Sequence, residues 1–172
     1  MPAAAVESAV AAGRTPVALA VDGNCVGVAE LSDRLRVGAA DTLRALRDRG
    51  WELRLLSGDH PRVVAAVAAE LGLPPESAQG GLSPEEKLNA VRAARAASGG
   101  QSVVMVGDGI NDAAALAAAD VGIAVHGGAE ASLEAADVHL SAPGGGMAAL
   151  DELFTSARGS MRTIRLCLGV SL

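Results

Sequence analysis

Short, wholly apolar runs alternate along this chain with stretches in which apolar residues recur at helical spacing. Val17 to Val21 (VALAV) reads as a strand, Asp22-Gly23-Asn24 as a turn, and Cys25 to Leu31 as the returning strand of a hairpin. Val37 to Asp48 sets Ala40, Leu43, Ala45 and Leu46 on one helical face, and Gly50 ends it. Leu53 to Leu56 predicts a strand that runs into Ser57-Gly58-Asp59, and Arg62 to Leu71 predicts a helix stopped by Gly72 and Pro74. Ser83-Pro84-Glu85-Glu86 opens the next helix: serine as cap, proline in the first helical position, glutamate placed for a capping box. Gln101 to Val106, Val121 to Val125 and Val138 to Leu140 read as buried strands, with helices over Ala113 to Ala119 and Ala129 to Ala136 between them. Gly144 to Gly146 reads as a loop before a final helix.

Strands apolar along their whole length, separated by helices of about ten residues, predict an α/β fold with a parallel sheet covered on both faces. With 172 residues, 50% hydrophobic and 20% charged, the chain has the makings of one ordinary domain and not of a disordered segment. A net charge of −6 and two aromatic residues, Trp51 and Phe154, argue against nucleic acid as a partner. Cys25 and Cys167 stand far apart, the histidines His60, His126 and His139 show no ligand spacing, and a reducing compartment is the simplest reading. The opening residues lack the basic start and apolar run of a secretory signal. No stretch of about 18 uncharged apolar residues occurs. Arg158 to Arg165 is basic and leads into an apolar end, which fits either the start of a juxtamembrane helix or an amphipathic C-terminal helix.

In parallel sheets, ligands bind beyond the carboxyl ends of the strands. Three polar clusters fall on that rim. In Gly107-Asp108-Gly109-Ile110-Asn111-Asp112, two carboxylates around a tight turn can converge on one hard cation such as Mg²⁺, and the glycines allow close approach to an oxyanion. The bland alternative is a strand-to-helix turn capped by Asn111 or Asp112. Ser57-Gly58-Asp59 offers a hydroxyl and backbone amides to a phosphoryl oxygen, or else caps the following helix. Lys87 stands in the first turn of its helix, where the macrodipole disfavours a cation; it answers either to an anion nearby or to solvent.

The order of these pieces (strand then serine, a lone lysine, strand then paired acids) resembles the haloacid dehalogenase superfamily. VVMVGDGINDAAALAAADVGIAV, LRLLSGDH and LSPEEK resemble the phosphorylation domain of P-type ATPases, and GGAEASLEAADVHL resembles the heavy-metal, copper-type branch. The match runs from about Gly13 to Leu172. The resemblance implies a Rossmann-like parallel sheet with helices on both faces. It implies that Asp108, with Asp112, coordinates Mg²⁺, that Asn111 and Asp112 order the loop, and that Lys87 neutralises a phosphoryl group. Ser57 and Gly58 would bind its oxygens, Gly107 and Gly109 would line the approach, and Asp59 would serve nucleotide or hinge. Asp33 and Arg36, in Ser-Asp-Arg-Leu-Arg, match the family's Asp-x-x-Arg hinge toward the ATP-binding domain. Residues 1–31 then read as the tail of a nucleotide-binding domain, here a β-hairpin remnant, 32–152 as the phosphorylation domain, and 153–172 as a juxtamembrane helix.

The chain departs from that family in one decisive place: it contains no Asp-Lys-Thr-Gly, the motif whose aspartate is phosphorylated. It also contains no Cys-Pro-Cys metal site; Ser57 stands where threonine is commoner, and Ala114 where proline is usual. By this resemblance the chain is a downstream piece of a transporter. Its parent would use ATP and Mg²⁺ to move a heavy metal, with copper the expected ion, at the cytoplasmic face of a membrane it enters through helices elsewhere. The piece alone would lack the nucleophile and the strand bearing it, leaving the sheet incomplete and the chain soluble or prone to aggregate. Two other readings stay open. One is a small phosphatase with Asp22 as nucleophile, although position 24 is asparagine where an acid is needed. The other is a non-catalytic module that binds Mg²⁺ or phosphate.

Overall fold

The structure is a computed structural model, and it describes residues 2–31, 35–107, 110–125, 134–140 and 146–170. The expected helix at Ala129 to Ala136 falls largely outside those residues. An alanine-rich helix α1 (Pro2–Ala11) precedes the hairpin of β1 (Thr15–Val21) and β2 (Asn24–Leu31), whose antiparallel register pairs Val17 with Ala29 and Val21 with Asn24. The turn is Asp22-Gly23, both with positive φ, as the sequence predicts. The helix α1 was not legible in the sequence, where it stood only as a stretch unlike a signal peptide.

The rest alternates strand and helix: α2 (Ala39–Asp48), β3 (Leu55–Leu56), α3 (Pro61–Glu70), β4 (Ala78–Gln79), α4 (Pro84–Ala97), β5 (Val104–Gly107), α5 (Ala113–Ala118), β6 (Val121–Val125), β7 (Val138–Leu140) and a long α6 (Gly146–Val170). All strand pairs after the hairpin are parallel: β3 with β4, and β5 with β6 with β7. The core gathers Ala39, Ala68, Leu71 and Leu73 against Leu43, Leu53, Leu55 and Met147. In the second half, β6 is buried from Gly122 to Val125, with Leu116 of α5 fully buried beside Ile123.

The expected single sheet is, among the described residues, two parallel sheets of two and three strands beside the hairpin. Two predicted strands are also shorter than their apolar runs. β5 starts at Val104 and not at Gln101, because the Val103 N–H donates to the Asp120 carboxylate (2.8 Å) and its carbonyl accepts from Asp120 N–H (2.9 Å). Those bonds take the place of ladder pairing. β3 is limited to Leu55–Leu56 by its two-residue partner β4. The helix α6 is fastened to α2 by the Arg49–Asp151 ion pair (2.8 Å) and by the Thr42 hydroxyl, which donates to the Met147 carbonyl (3.4 Å). No helix among the described residues is long and apolar enough to cross a membrane.

Candidate phosphoryl and cation site

The helix α4 begins as its sequence dictates. The Ser83 hydroxyl accepts from Glu86 N–H (3.2 Å), and the Glu86 carboxylate accepts from Ser83 N–H (2.8 Å). Two donors at the helix start are thereby satisfied. The same bonds hold the Glu86 carboxyl below its ordinary value of 4.5, the backbone Ser83 N–H contributing most and the Ser83 hydroxyl next. One residue further on, this fixed first turn presents Lys87.

Lys87 does not extend into solvent. Its ammonium lies 2.8 Å from Oδ1 of Asp112, with the two side chains only 14% and 12% exposed. Asp112 stands at the start of α5 but makes no side-chain cap bond to that helix, so its carboxylate is turned to Lys87. Gly107, the last residue of β5, lies beneath it: a Cβ built there would sit 3.0 Å from the Asp112 Cβ and 3.2 Å from its Oδ2. The two bland readings, a solvated lysine and a capping aspartate, are therefore replaced by a sequestered ion pair at the carboxyl end of β5.

Ser57, Gly58 and Asp59 follow β3. The Ser57 hydroxyl donates to Oδ2 of Asp59 (2.9 Å) and accepts from Asp59 N–H (3.1 Å). None of the three caps α3; His60 does, its Nδ1 accepting from Arg62 N–H (3.2 Å). This role of His60 was not read from the sequence. The loop is joined to the start of α4 by two backbone bonds, Leu82 N–H to Ser57 O (3.0 Å) and Gly81 N–H to Asp59 O (2.6 Å). At Gly80 a Cβ would meet Asp59 O at 2.9 Å and Pro61 Cα at 2.7 Å, so the loop needs glycine there. The signal was present as the Gly-Gly pair ahead of LSPEEK.

The structure thus joins Gly107, Lys87 and Asp112 in one contact, and ties the Ser57 loop to the helix that carries Lys87. Asn111 lies exposed in a single 3₁₀ turn, Ile110–Asp112, just before α5. Arg36 lies ahead of α2, where its carbonyl accepts from Ala39 N–H (3.0 Å). Asp33, Asp108 and Gly109 lie outside the described residues. Asp22, the nucleophile of the phosphatase reading, sits in the hairpin turn, in a separate antiparallel sheet.

Among the described residues no group of three or more His, Cys, Asp or Glu side chains could cage a metal ion. Mg²⁺ needs less: one or two carboxylates, waters and substrate phosphate. A buried Asp112 next to Lys87 fits that requirement, with a cation on the same side to meet phosphate charge.

Comparison with known proteins agrees with this architecture. Residues 2–120 match the model of the haloacid dehalogenase-like hydrolase family. Over 112 residues the chain is 50% identical to a zinc-exporting P-type ATPase of Mycobacterium marinum, a match covering 64% of this chain and 15% of that protein. Over 118 residues it is 42% identical to a copper-exporting P-type ATPase of Mycobacterium leprae, covering 69% and 15%. A crystal structure of a zinc-transporting PIB-type ATPase in the E2P state superposes with a TM-score of 0.77 at 36% identity, over 95% of this chain and 26% of that one. The matched part of the chain thus spans about a seventh of the length of these curated relatives.

Proposed function

Because the chain belongs to the haloacid dehalogenase-like hydrolase family and is homologous to heavy-metal P-type ATPases, we propose that it carries the Mg²⁺- and phosphoryl-binding half of such a pump's phosphorylation domain. One observation carries this reading: the sequestered Lys87–Asp112 pair at the carboxyl end of β5. Desolvating a lysine and an aspartate costs several kcal/mol per ion before their attraction returns any of it. A fold that accepts that cost at a strand end is built for a charged ligand.

In this reading the Lys87 ammonium meets the charge of a phosphoryl group and Asp112, with Asp108, holds Mg²⁺. The ion, when bound, polarises the phosphoryl oxygens. The Ser57 hydroxyl and the Gly58 amide donate to phosphoryl oxygens, Asp59 orients that hydroxyl, and Gly107 and Gly109 leave room for the approach. Asn111 shapes the turn, and Asp33 with Arg36 forms the hinge toward an ATP-binding domain. Residues 1–31 are the tail of that domain and 153–172 the lead-in to a membrane helix. The chain has no Asp-Lys-Thr-Gly, so positioning and electrostatics remain while covalent phosphoryl transfer lacks its nucleophile. The parent would be an ATP-driven heavy-metal transporter working from the cytoplasmic face of a membrane. Copper is the finer reading, from GGAEASLEAADVHL; copper- against zinc-stimulated ATP hydrolysis by the full-length parent tests it.

The site itself is tested by calorimetric titration of the chain with inorganic phosphate, with and without Mg²⁺. Binding that needs Mg²⁺ and disappears in both Lys87→Met and Asp112→Asn supports the reading. Binding unchanged in both variants overturns it.

A further inference from the structure

The start of α3 depends on an imidazole. Pro61, its first residue, has no N–H to satisfy. The Val63 and Val64 N–H groups both donate to the His60 carbonyl (2.8 and 3.1 Å). That leaves the Arg62 N–H, whose acceptor is Nδ1 of His60 at 3.2 Å. A ring nitrogen accepts only while it carries no proton, so this bond requires the neutral ring with its proton on Nε2. Protonation would set a second donor against the Arg62 N–H. It would also place a positive charge at a helix N-terminus, where the macrodipole opposes it. The usual capping side chains, Ser, Thr, Asp and Asn, do not change charge near neutrality, whereas an imidazole does. His60 is exposed, so solvent protons reach it.

What this cap steadies is the loop on its other side. The Asp59 carbonyl accepts from Gly81 N–H (2.6 Å), the Ser57 carbonyl accepts from Leu82 N–H (3.0 Å), and the Ser57 hydroxyl is held by the Asp59 carboxylate and N–H. From the helix side, Pro61 lies against Gly80 and Gly81: Cβ atoms built on them would stand 2.7 Å from its Cα and 3.6 Å from its Cδ. His60 is therefore the one residue between two anchors, Asp59 and Pro61. An opened first turn moves both, and the Ser57 hydroxyl with them. The other charged groups nearby hold their charge while an imidazole titrates. Asp59 and Arg62 flank His60, and α1, β4 and the 3₁₀ turn Pro75–Ser77, which pack against α3, contribute Glu7 and Glu76. Among the described residues none of these side chains bonds to the His60 ring. Carboxyl groups titrate about two units below an imidazole, and arginine far above it.

We propose that His60 is a proton-sensitive positioning residue: neutral, it caps α3 and holds the Ser57-Gly58-Asp59 loop against the lead-in to α4; protonated, it uncaps the helix and loosens that loop. The direction follows from the bond itself, which exists in the neutral ring and is lost as pH falls through the imidazole range. Where the Ser57 hydroxyl serves a phosphoryl group, mild acid would weaken that contact, a consequence that rests on the reading proposed above. The switch itself rests only on the cap and its two anchors.

The test follows the isotope-labelled full chain by nuclear magnetic resonance at about pH 7.5 and about pH 5.5, on either side of an ordinary imidazole. At the higher pH the ring-nitrogen shifts of His60 should be those of the Nε2–H form. At the lower pH the protection of the Arg62 amide, relative to an unstructured chain, should fall about fivefold, the equilibrium worth of a lost cap, and Gly81 and Leu82 should lose protection with it. His60→Asn keeps an acceptor that does not titrate and should stay protected at both pH values. His60→Ala should be weakly protected at both. Three outcomes overturn the proposal: the Nδ1–H form in the neutral ring, equal protection of the unchanged chain at both pH values, or the same fall in His60→Asn, which would assign it to another group such as His139. A fall at Arg62 with Gly81 and Leu82 steady would overturn the link to the Ser57 loop. These readouts use no ligand, so failure of the switch stays separate from failure of the phosphoryl reading.

Discussion

The Lys87 ammonium and the Asp112 carboxylate meet at 2.8 Å across 25 residues of sequence, and little of either side chain reaches solvent. The contact joins the first turn of α4 to the start of α5 over the end of β5. It is therefore both a structural bolt and the centre of the proposed site.

Removing one partner should cost more than removing both. Lys87→Met leaves Asp112 buried and unpaired, a loss of about 2–3 kcal/mol, below the 3–5 kcal/mol of a fully buried pair because some solvent reaches it. Lys87→Met with Asp112→Leu should recover part of that loss. Urea unfolding of the three variants measures it, and a double variant weaker than the sum of the singles would contradict a coupled pair.

Close packing makes two glycines sensitive to a single methyl group. Gly80→Ala sets a Cβ against Pro61 Cα at 2.7 Å and Asp59 O at 2.9 Å, whereas Gly58→Ala meets only Leu82 O at 3.3 Å. The first should lose about 1–3 kcal/mol and disorder the Ser57 loop, and the second distinctly less. Gly122→Ala, 2.8 Å from Leu116 O, should likewise separate β6 from α5. Denaturant midpoints rank the three, and a harmless Gly80→Ala would contradict the loop geometry.

Acid should loosen two places in a set order of cause. The Glu86 carboxyl is held below 4.5 by the Ser83 bonds, and the Asp120 carboxyl below 3.8, first by the Val103 N–H and then by Arg95. Folded values below unfolded ones mean stability that is present above the ordinary values and lost as pH falls through the lowered ones. Melting temperature should therefore fall on acidification through and below pH 4.5, less steeply in Glu86→Gln or Asp120→Ala. Ser83→Ala should cost about 1 kcal/mol at neutral pH. A melting temperature with the same acid slope in all variants would exclude these carboxylates as the cause.

ATP turnover should be absent from this polypeptide alone. Steady-state phosphate release should be at background, with Asp108→Ala indistinguishable from the parent chain. Release that Asp108→Ala abolishes would show that a nucleophile is present after all.

The hairpin should drive self-association. Val17, Leu19, Val21 and Leu31 are each about half exposed or more, an apolar face of the kind that marks an interaction surface or an aggregation hazard. Sedimentation should shift from monomer to larger species as concentration rises, and Leu19→Lys should weaken that shift. A sharp monomer for the unchanged chain at high concentration would contradict this.

What the sequence determined by itself is what acts over a few residues. Ser83-Pro84-Glu85-Glu86 encodes its capping box, Asp22-Gly23 its turn, and Val121 to Val125 its buried strand, because each depends on chain-local bonding or on burial that a run of apolar side chains enforces. The motif residues could be named from their order along the chain, but the contact between Lys87 and Asp112 could not. Only the tertiary structure decided that Lys87 turns inward, that His60 and not Ser57 caps α3, and that Asp120 takes over the bonds that would have lengthened β5. It also decided that, among the described residues, the parallel strands fall into sheets of two and three beside the hairpin. The physical reason is the same in each case: a side chain's partner, or a strand's neighbour, is set by what the whole fold brings alongside it, and apolar periodicity records burial without recording against what.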